Sequence, residues 1–207
     1  MNKKCVVIVG GGAAGWVTAA YLNAVLNRDG RDVASISLLE SPVSESTVTG
    51  EATMPEISRF LATVGVDRLQ FLRRAGGTLR QAGKFVNWRI NSGEHFYHTY
   101  SAQRPGSVDM SARKWLKSNR SVPFAETFSA QPQLSEMNLA PLMMGPWNFG
   151  PPLPFGFHVN VPRFAELLRE VSIAAGVTHH GGQISSAELS ANDDIAAVHS
   201  DNGERIE

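Results

Sequence analysis

Three glycines at the spacing G-x-G-x-x-G stand near the start of the chain, in Gly10-Gly11-Gly12-Ala13-Ala14-Gly15. Glycine contributes here by what it lacks. Without a Cβ, Gly10 permits a tight turn, Gly12 lets the main chain approach a pyrophosphate, and Gly15 lets a helix pack closely on a strand. The amides of Ala13, Ala14 and Gly15 then open that helix. Its first N–H groups have no intrahelical acceptors and carry partial positive charge, which suits phosphate. Glu40 is the second chemical group of interest. A carboxylate at the end of the neighbouring strand can accept both hydroxyls of an adenosine ribose and repels a 2′-phosphate, so FAD or NAD is favoured over NADP. These residues leave FAD and NAD both open.

The elements around these residues must place them correctly for that chemistry. Cys5 to Val9 is a short β-branched run that reads as a strand buried on both faces. Trp16 to Leu26 is helical in character, and Val33 to Glu40 reads as a second strand. The opening is therefore strand, glycine turn, helix, strand: a βαβ unit over residues 1–45 with a parallel pair. A loop follows. Thr53, Pro55 and Glu56 look like a capped helix start, with Ile57, Phe60, Leu61 and Val64 at helical spacing and Gly65 as the stop. Asp67 opens another short helix through Arg74. Lys84 to Ile90 and His95 to Tyr100 read as a hairpin turning at Asn91 to Glu94. Residues 101–156 hold eight of the eleven prolines and read as an irregular excursion with a short helix near Ala112 to Lys117. An amphipathic helix over 162–175 follows, and then three strands, Val177 to His180, Gln183 to Leu189 and Ile195 to His199. The expected regions are 1–45, 84–156 (hairpin and excursion) and 157–207 (return helix and strands).

The bulk numbers narrow the function classes. Lys plus Arg and Asp plus Glu are equal at 19 each, which gives no electrostatic reason to expect nucleic acid or an anionic membrane. No segment approaches the roughly 20 apolar residues that span a bilayer. The single Cys5 excludes an internal disulfide and a multi-cysteine metal site, and it reads as a buried thiol compatible with a cytoplasmic setting. Six histidines, at 95, 98, 158, 179, 180 and 199, read as solvated or hydrogen-bonded. Neither His95 and His98 nor His179 and His180 would converge from a strand. Trp88, Trp115, Trp147 and Phe149 are candidates for an aromatic pocket, with Gly145 to Phe155 as its lid or wall.

Several segments together resemble one family. Val7 to Gly15 followed by Trp16 is similar to the opening of the flavin-dependent tryptophan halogenases. Thr49-Gly50-Glu51-Ala52-Thr53-Met54-Pro55 looks like their G-E-A-T-x-P segment, and Lys84-Phe85-Val86-Asn87-Trp88 like their K-F-x-N-W run. His95 to His98 and the helix carrying Phe164 to Val171 also match, so the resemblance covers residues 5–206. It implies an α/β fold: a Rossmann-like FAD-binding domain of glutathione-reductase type with a β-hairpin insertion, incomplete at the C-terminus. It also implies FAD reduced by a separate flavin reductase, O₂ and a halide ion as co-substrates, and an electron-rich aromatic such as tryptophan or an indole. In the family, hypohalous acid travels away from the flavin to a lysine beside the substrate. Gly50 and Ala52 are implied flavin contacts, Glu51 a weaker one.

Two departures accompany the resemblance. Anchored on Lys84-Phe85-Val86-Asn87-Trp88, the family's lysine position holds Arg80. Arginine keeps its proton, with a pKa above about 12, so it can hydrogen-bond an oxidant but is a poor nucleophile. Lys84 is the fallback if the segment from Arg80 is helical. The later part of the family's chains, with another flavin-binding motif, a Trp-rich signature, a catalytic glutamate and most of the substrate pocket, is not found, and the chain is expected to be a truncated piece ending as it enters a strand. An FAD-dependent monooxygenase on the same frame and a non-catalytic flavin-binding fragment are the alternatives.

Overall fold

The computed structural model describes residues 3–42, 51–100, 107–142 and 153–207. The chain divides into two compact units, one of residues 1–51, 57–77 and 159–207 and one of residues 52–56 and 78–158.

The first unit is built on a parallel sheet. Strand β1 (Lys4–Val9) leads through the glycine turn into helix α1 (Ala13–Leu26), and strand β2 (Ala34–Glu40) returns alongside β1 with Lys4 opposite Ala34 and Val9 opposite Leu39. Strand β8 (Thr178–Gly181) pairs on the other side of β2, giving the order β1-β2-β8. The expectation that β1 is buried on both faces is overturned. Cys5 is exposed, Val6 to Ile8 are only half-buried and Val9 is exposed. The strand buried on both faces is β2, where the successive Leu38 and Leu39, which point to opposite faces, are 0% and 1% exposed.

Helix α1 packs through small residues. Ala19 and Ala20 are buried beside Trp16, and alanines of this size let a helix lie close to its neighbours. Its end is tied to the next strand by Asn27. The Asn27 Oδ1 accepts from the amides of Val33 and Ala34, and its Nδ2 donates to Ala34 O. Helices α2 (Ile57–Thr63), α3 (Arg68–Arg74) and α6 (Val161–Ala174) complete the helical part of the unit. Asp67 caps α3 through Leu69 N and Gln70 N, and Asn160 caps α6 through Arg163 N. The apolar stripe read over 162–175 is real. Phe164, Leu167 and Leu168 are buried, and the Phe164 ring meets Phe71 of α3 edge-on with centroids 5.5 Å apart. An antiparallel sheet in the order β11-β10-β9 follows, formed by β9 (Ile184–Leu189), β10 (Ile195–Ser200) and β11 (Arg205–Ile206).

The second unit takes in strand β4 (Thr78–Arg80), β7 (Gly156–Val159) up to His158, and Ala52 of β3 (Glu51–Ala52), with β7 antiparallel to β4, Arg80 opposite Gly156, and β3 next to β7 in the strand order. Thr53 does not cap α2. Its amide donates to Phe157 O and its hydroxyl accepts from Phe157 N, so the main chain of β7 has captured the capping side chain. The hairpin exists but is shorter than expected: β5 (Ala82–Val86) pairs with β6 (His95–Thr99). Asn87 ends the first strand by adopting φ 54° while its Oδ1 accepts from Gly93 N, and asparagine tolerates this left-handed conformation better than most residues. The excursion is more regular than its prolines suggest. Helix α4 (Ser107–Leu116), a 3-10 turn (Phe124–Thr127) and helix α5 (Gln131–Glu136) lie within it. Pro123 stands just before the 3-10 turn and Pro132 in the first turn of α5, where a missing amide proton costs nothing. Trp147 and Phe149 lie outside the described residues.

Candidate functional site

The glycine turn has the geometry its spacing suggests. Gly10 sits at φ 115°, which an L side chain rarely adopts, and its amide donates to Leu39 O. At Gly15 an added Cβ would fall 1.9 Å from Gly10 O, so helix and strand meet there with no room for a side chain. At Gly12 an added Cβ would meet nothing within 4 Å. Glycine at that position therefore leaves space for something that is not protein. The first helical bond runs from Trp16 N to Gly12 O, so the amides of Ala13, Ala14 and Gly15 precede any intrahelical acceptor. No acidic residue stands in the first turn of α1, so no carboxylate there offsets their partial charge.

A cavity of about 740 Å³ opens in front of this turn, lined by Gly11, Gly12, Ala13, Ala14, Trp16, Glu40 and Glu51 together with Pro162, Ala165, Glu166 and Arg169 of α6. Its volume falls in the ordinary range of small-molecule sites. Glu40 ends β2 at the cavity, with its side chain 25% exposed. A Cβ on Gly11 would lie 2.1 Å from Glu40 Cδ. Gly11 occupies an unspecified place in the motif, yet the Glu40 side chain lies where a larger residue at that position would put its Cβ. On its other side, Glu40 Oε2 is 3.0 Å from His179 Nε2. Helix-start amides without intrahelical acceptors, open space at Gly12 and a carboxylate at the end of the adjacent strand are thus brought together by Gly10, Gly12, Ala13, Ala14, Gly15 and Glu40, an arrangement whose chemistry suits the ADP half of a dinucleotide. Glu51 also lines the cavity, Ala52 does not, and Gly50 lies outside the described residues. Sequence reasoning missed Gly11 and His179. Three consecutive glycines were a signal for the first. The second had none, because its neighbour Glu40 is remote in sequence.

Arg80 and Lys84 are not on one helix. Arg80 ends β4 and Lys84 lies on β5, so the helical premise for the fallback fails: the backbone here is extended and paired. Arg80 is half-buried, and its guanidinium carbon lies 5.4 Å from the centre of the Tyr100 ring. Burial pushes the Tyr100 phenol up, against the smaller opposing effect of the Arg80 charge, so a neutral ring faces the cation. Lys84 Nζ is 2.5 Å from Glu136 Oε1, which also accepts from Tyr97 OH at 2.6 Å. The hydrogen bond to Glu136 raises the Lys84 pKa, and the Lys84 and Tyr97 hydrogen bonds lower that of Glu136. An ammonium held this way has no lone pair to offer an electrophile.

The remaining candidates disperse. His95 and His98 leave β6 on opposite faces, and His180 and His199 lie beside Glu204 and Glu188. Among the described residues no group of three His, Cys, Asp or Glu could hold a metal, and no helix is long and apolar enough to cross a membrane. Trp88 is 70% exposed and packs on Phe85, whereas Trp115 packs on Phe124, so these two rings engage different partners.

Comparisons with known proteins follow the same course. The tryptophan 7-halogenase KtzQ of Kutzneria sp. (strain 744) is 24% identical over 223 residues, covering 98% of this chain and 40% of that protein. The tryptophan 6-halogenase ThaL of Streptomyces albogriseolus is 40% identical over 87 residues, 42% of this chain and 16% of that protein. The crystal structure of a tryptophan halogenase from Shewanella frigidimarina NCIMB 400 superposes with a TM-score of 0.88 at 29% identity, over 99% of this chain and 41% of that one. The chain thus spans about 40% of the length of the relatives it matches along its whole course. Its fold is mixed α/β with a parallel sheet, as in those flavin halogenases. The family model for tryptophan halogenase matches residues 5–207, and the chain belongs to that family.

Proposed function

We propose that this chain is the FAD-binding part of a flavin-dependent halogenase that acts on an electron-rich aromatic such as tryptophan or another indole. The observation that carries the cofactor assignment is the open space at Gly12 in front of unpaired helix amides, with Glu40 beside it. In this reading Ala13, Ala14 and Gly15 hold the pyrophosphate through their main-chain N–H groups, and Glu40 accepts the ribose hydroxyls. Gly50 and Ala52 are the flavin contacts that the family resemblance implies. FAD, bound reduced after a separate flavin reductase has supplied it, provides the chemistry that oxidises halide with O₂. The protein's own part is to bind, orient and exclude water. Residues 84–156 form the substrate side, and residues 1–45 and 157–207 the cofactor side.

Arg80 stands where the family's lysine is expected. Its guanidinium is built to donate hydrogen bonds to an oxidant and has no amine to act as a nucleophile. That single substitution favours a second reading, an FAD-dependent monooxygenase on the same frame. The test uses the full-length protein that contains this chain. It is supplied with FAD, a flavin reductase, O₂ and chloride or bromide, and its products from a panel of indoles and pyrroles are read by mass spectrometry. Halogenated product supports the first reading, and Arg80→Lys is expected to raise its yield. Hydroxylated product with no halogen at any halide concentration establishes the second. A protein that binds no FAD overturns both.

A further inference from the structure

His179 is not itself a lining residue of the cavity, but it stands beside two that are, Glu40 and Trp16. On β8 it is the register partner of Leu38 of β2. Glu40 is two residues beyond Leu38, so its side chain leaves β2 on the same face as that of His179. His180 leaves from the other face and sits 2.7 Å from Glu204. On the Glu40 face, His179 Nε2 lies 3.0 Å from Glu40 Oε2, and the imidazole packs against Trp16 with ring centroids 5.4 Å apart. Nε2 is buried and makes no aligned hydrogen bond with any described residue. A buried ring nitrogen left in that state is unfavourable. The acceptor beside it is Oε2 of Glu40. The two oxygens of that carboxylate therefore have different surroundings: Oε2 faces the imidazole, and Oε1 lies over the glycine turn, 2.3 Å from where a Gly11 Cβ would stand.

We infer that His179 is a positioning residue for the carboxylate that receives the adenosine ribose. The inference rests on the dinucleotide reading above and adds to it a residue that acts through Glu40. A glutamate side chain has several rotatable bonds, and fixing its carboxylate only when the cofactor arrives costs conformational entropy. With its proton on Nε2, His179 can donate to Oε2, 3.0 Å away, once the two groups turn into line. That leaves the lone pairs of Oε1 for the ribose hydroxyls. Trp16 holds the imidazole in place from α1, and Gly11 provides the room in which Oε1 rests. The ribose site is thus set before the cofactor enters.

The test is FAD titration of the full-length protein containing this chain, followed by quenching of flavin fluorescence, with melting temperatures measured in parallel. His179→Ala is expected to weaken FAD about tenfold, the range of a hydrogen bond to a charged group. His179→Phe keeps a ring against Trp16 and removes the donor, so it is expected to lose the same affinity with an unchanged melting temperature. His179→Gln restores a donor and is expected to recover affinity to within about threefold of the original. In a Glu40→Ala background the His179→Phe change is expected to alter affinity by less than about twofold, because the two residues act as one unit. Unchanged FAD binding in His179→Phe, or an equal loss with and without Glu40, overturns the role of His179 and leaves the dinucleotide reading standing. A parent protein that binds no FAD overturns that reading itself.

Discussion

At Gly11 and Gly15 the same change, one added methyl group, meets two different obstacles. At Gly11 the methyl would fall on the Glu40 carboxylate, 2.1 Å from its Cδ. That group is the free end of a flexible side chain and can swing aside cheaply. At Gly15 the methyl would fall 1.9 Å from the carbonyl oxygen of Gly10, and main chain held by a sheet cannot swing. Gly11→Ala is therefore expected to leave stability within about 1 kcal/mol of the parent while weakening FAD by tenfold or more, because displacing Glu40 removes the ribose contact. Gly15→Ala is expected to lower the melting temperature outright. Thermal melts and FAD titrations on the two variants separate these outcomes, and a Gly11→Ala protein that binds FAD normally would sink the role of Glu40. The G-x-G-x-x-G spacing made Gly10, Gly12 and Gly15 legible in the sequence. The demand on Gly11 was not, because the group that imposes it arrives on another strand.

At the level of elements, α6 shows how far a local pattern carries. Its apolar spacing marks one face, and that face is buried through Phe164, Leu167 and Leu168. Leu167 is 0% exposed, and truncating a leucine in such a place leaves a cavity that its neighbours only partly fill. Leu167→Ala is expected to cost about 2–5 kcal/mol, measurable by urea unfolding. A loss below about 1 kcal/mol would mean that α6 is not part of the core. Where a partner from elsewhere competes for a residue, the local pattern misleads. Thr53 has the type and spacing of a helix cap, yet β7 takes both its amide and its hydroxyl. Cys5 to Val9 has the composition of a doubly covered strand, yet Cys5 and Val9 are exposed. Neither outcome can be read from a window of ten residues, since both depend on what distant parts of the chain pack against.

At the scale of the whole molecule, the first unit holds an acid-sensitive contact in its antiparallel sheet. Glu188 of β9 meets Arg205 of β11 and His199 of β10. The hydrogen bond from Arg205, followed by that from His199, lowers the Glu188 pKa from its ordinary 4.5 to about 2. A carboxylate whose pKa is lower in the folded state stabilises the fold fully above its unfolded value. This contribution is thus present above pH 4.5 and is lost as pH falls towards 2. The pair is exposed, so salt is expected to weaken the effect. Glu188→Gln is expected to lower the melting temperature at pH 6 and to remove part of its fall between pH 4.5 and 2. An identical acid profile in the variant would show that the contact contributes nothing to stability.

Residue type and short-range spacing were enough to place the glycine turn, α1, the strand ending in Glu40 and the amphipathic α6, since each is encoded within about 30 consecutive residues, the span of one βαβ unit, and the order of several such short segments along the chain carried the family resemblance. Tertiary structure decided which strand is covered on both faces, where the hairpin turns, that Arg80 and Lys84 lie on separate strands, and that His179 stands 3.0 Å from Glu40. These are relations between residues far apart along the chain, and they come into being only when strands select their neighbours.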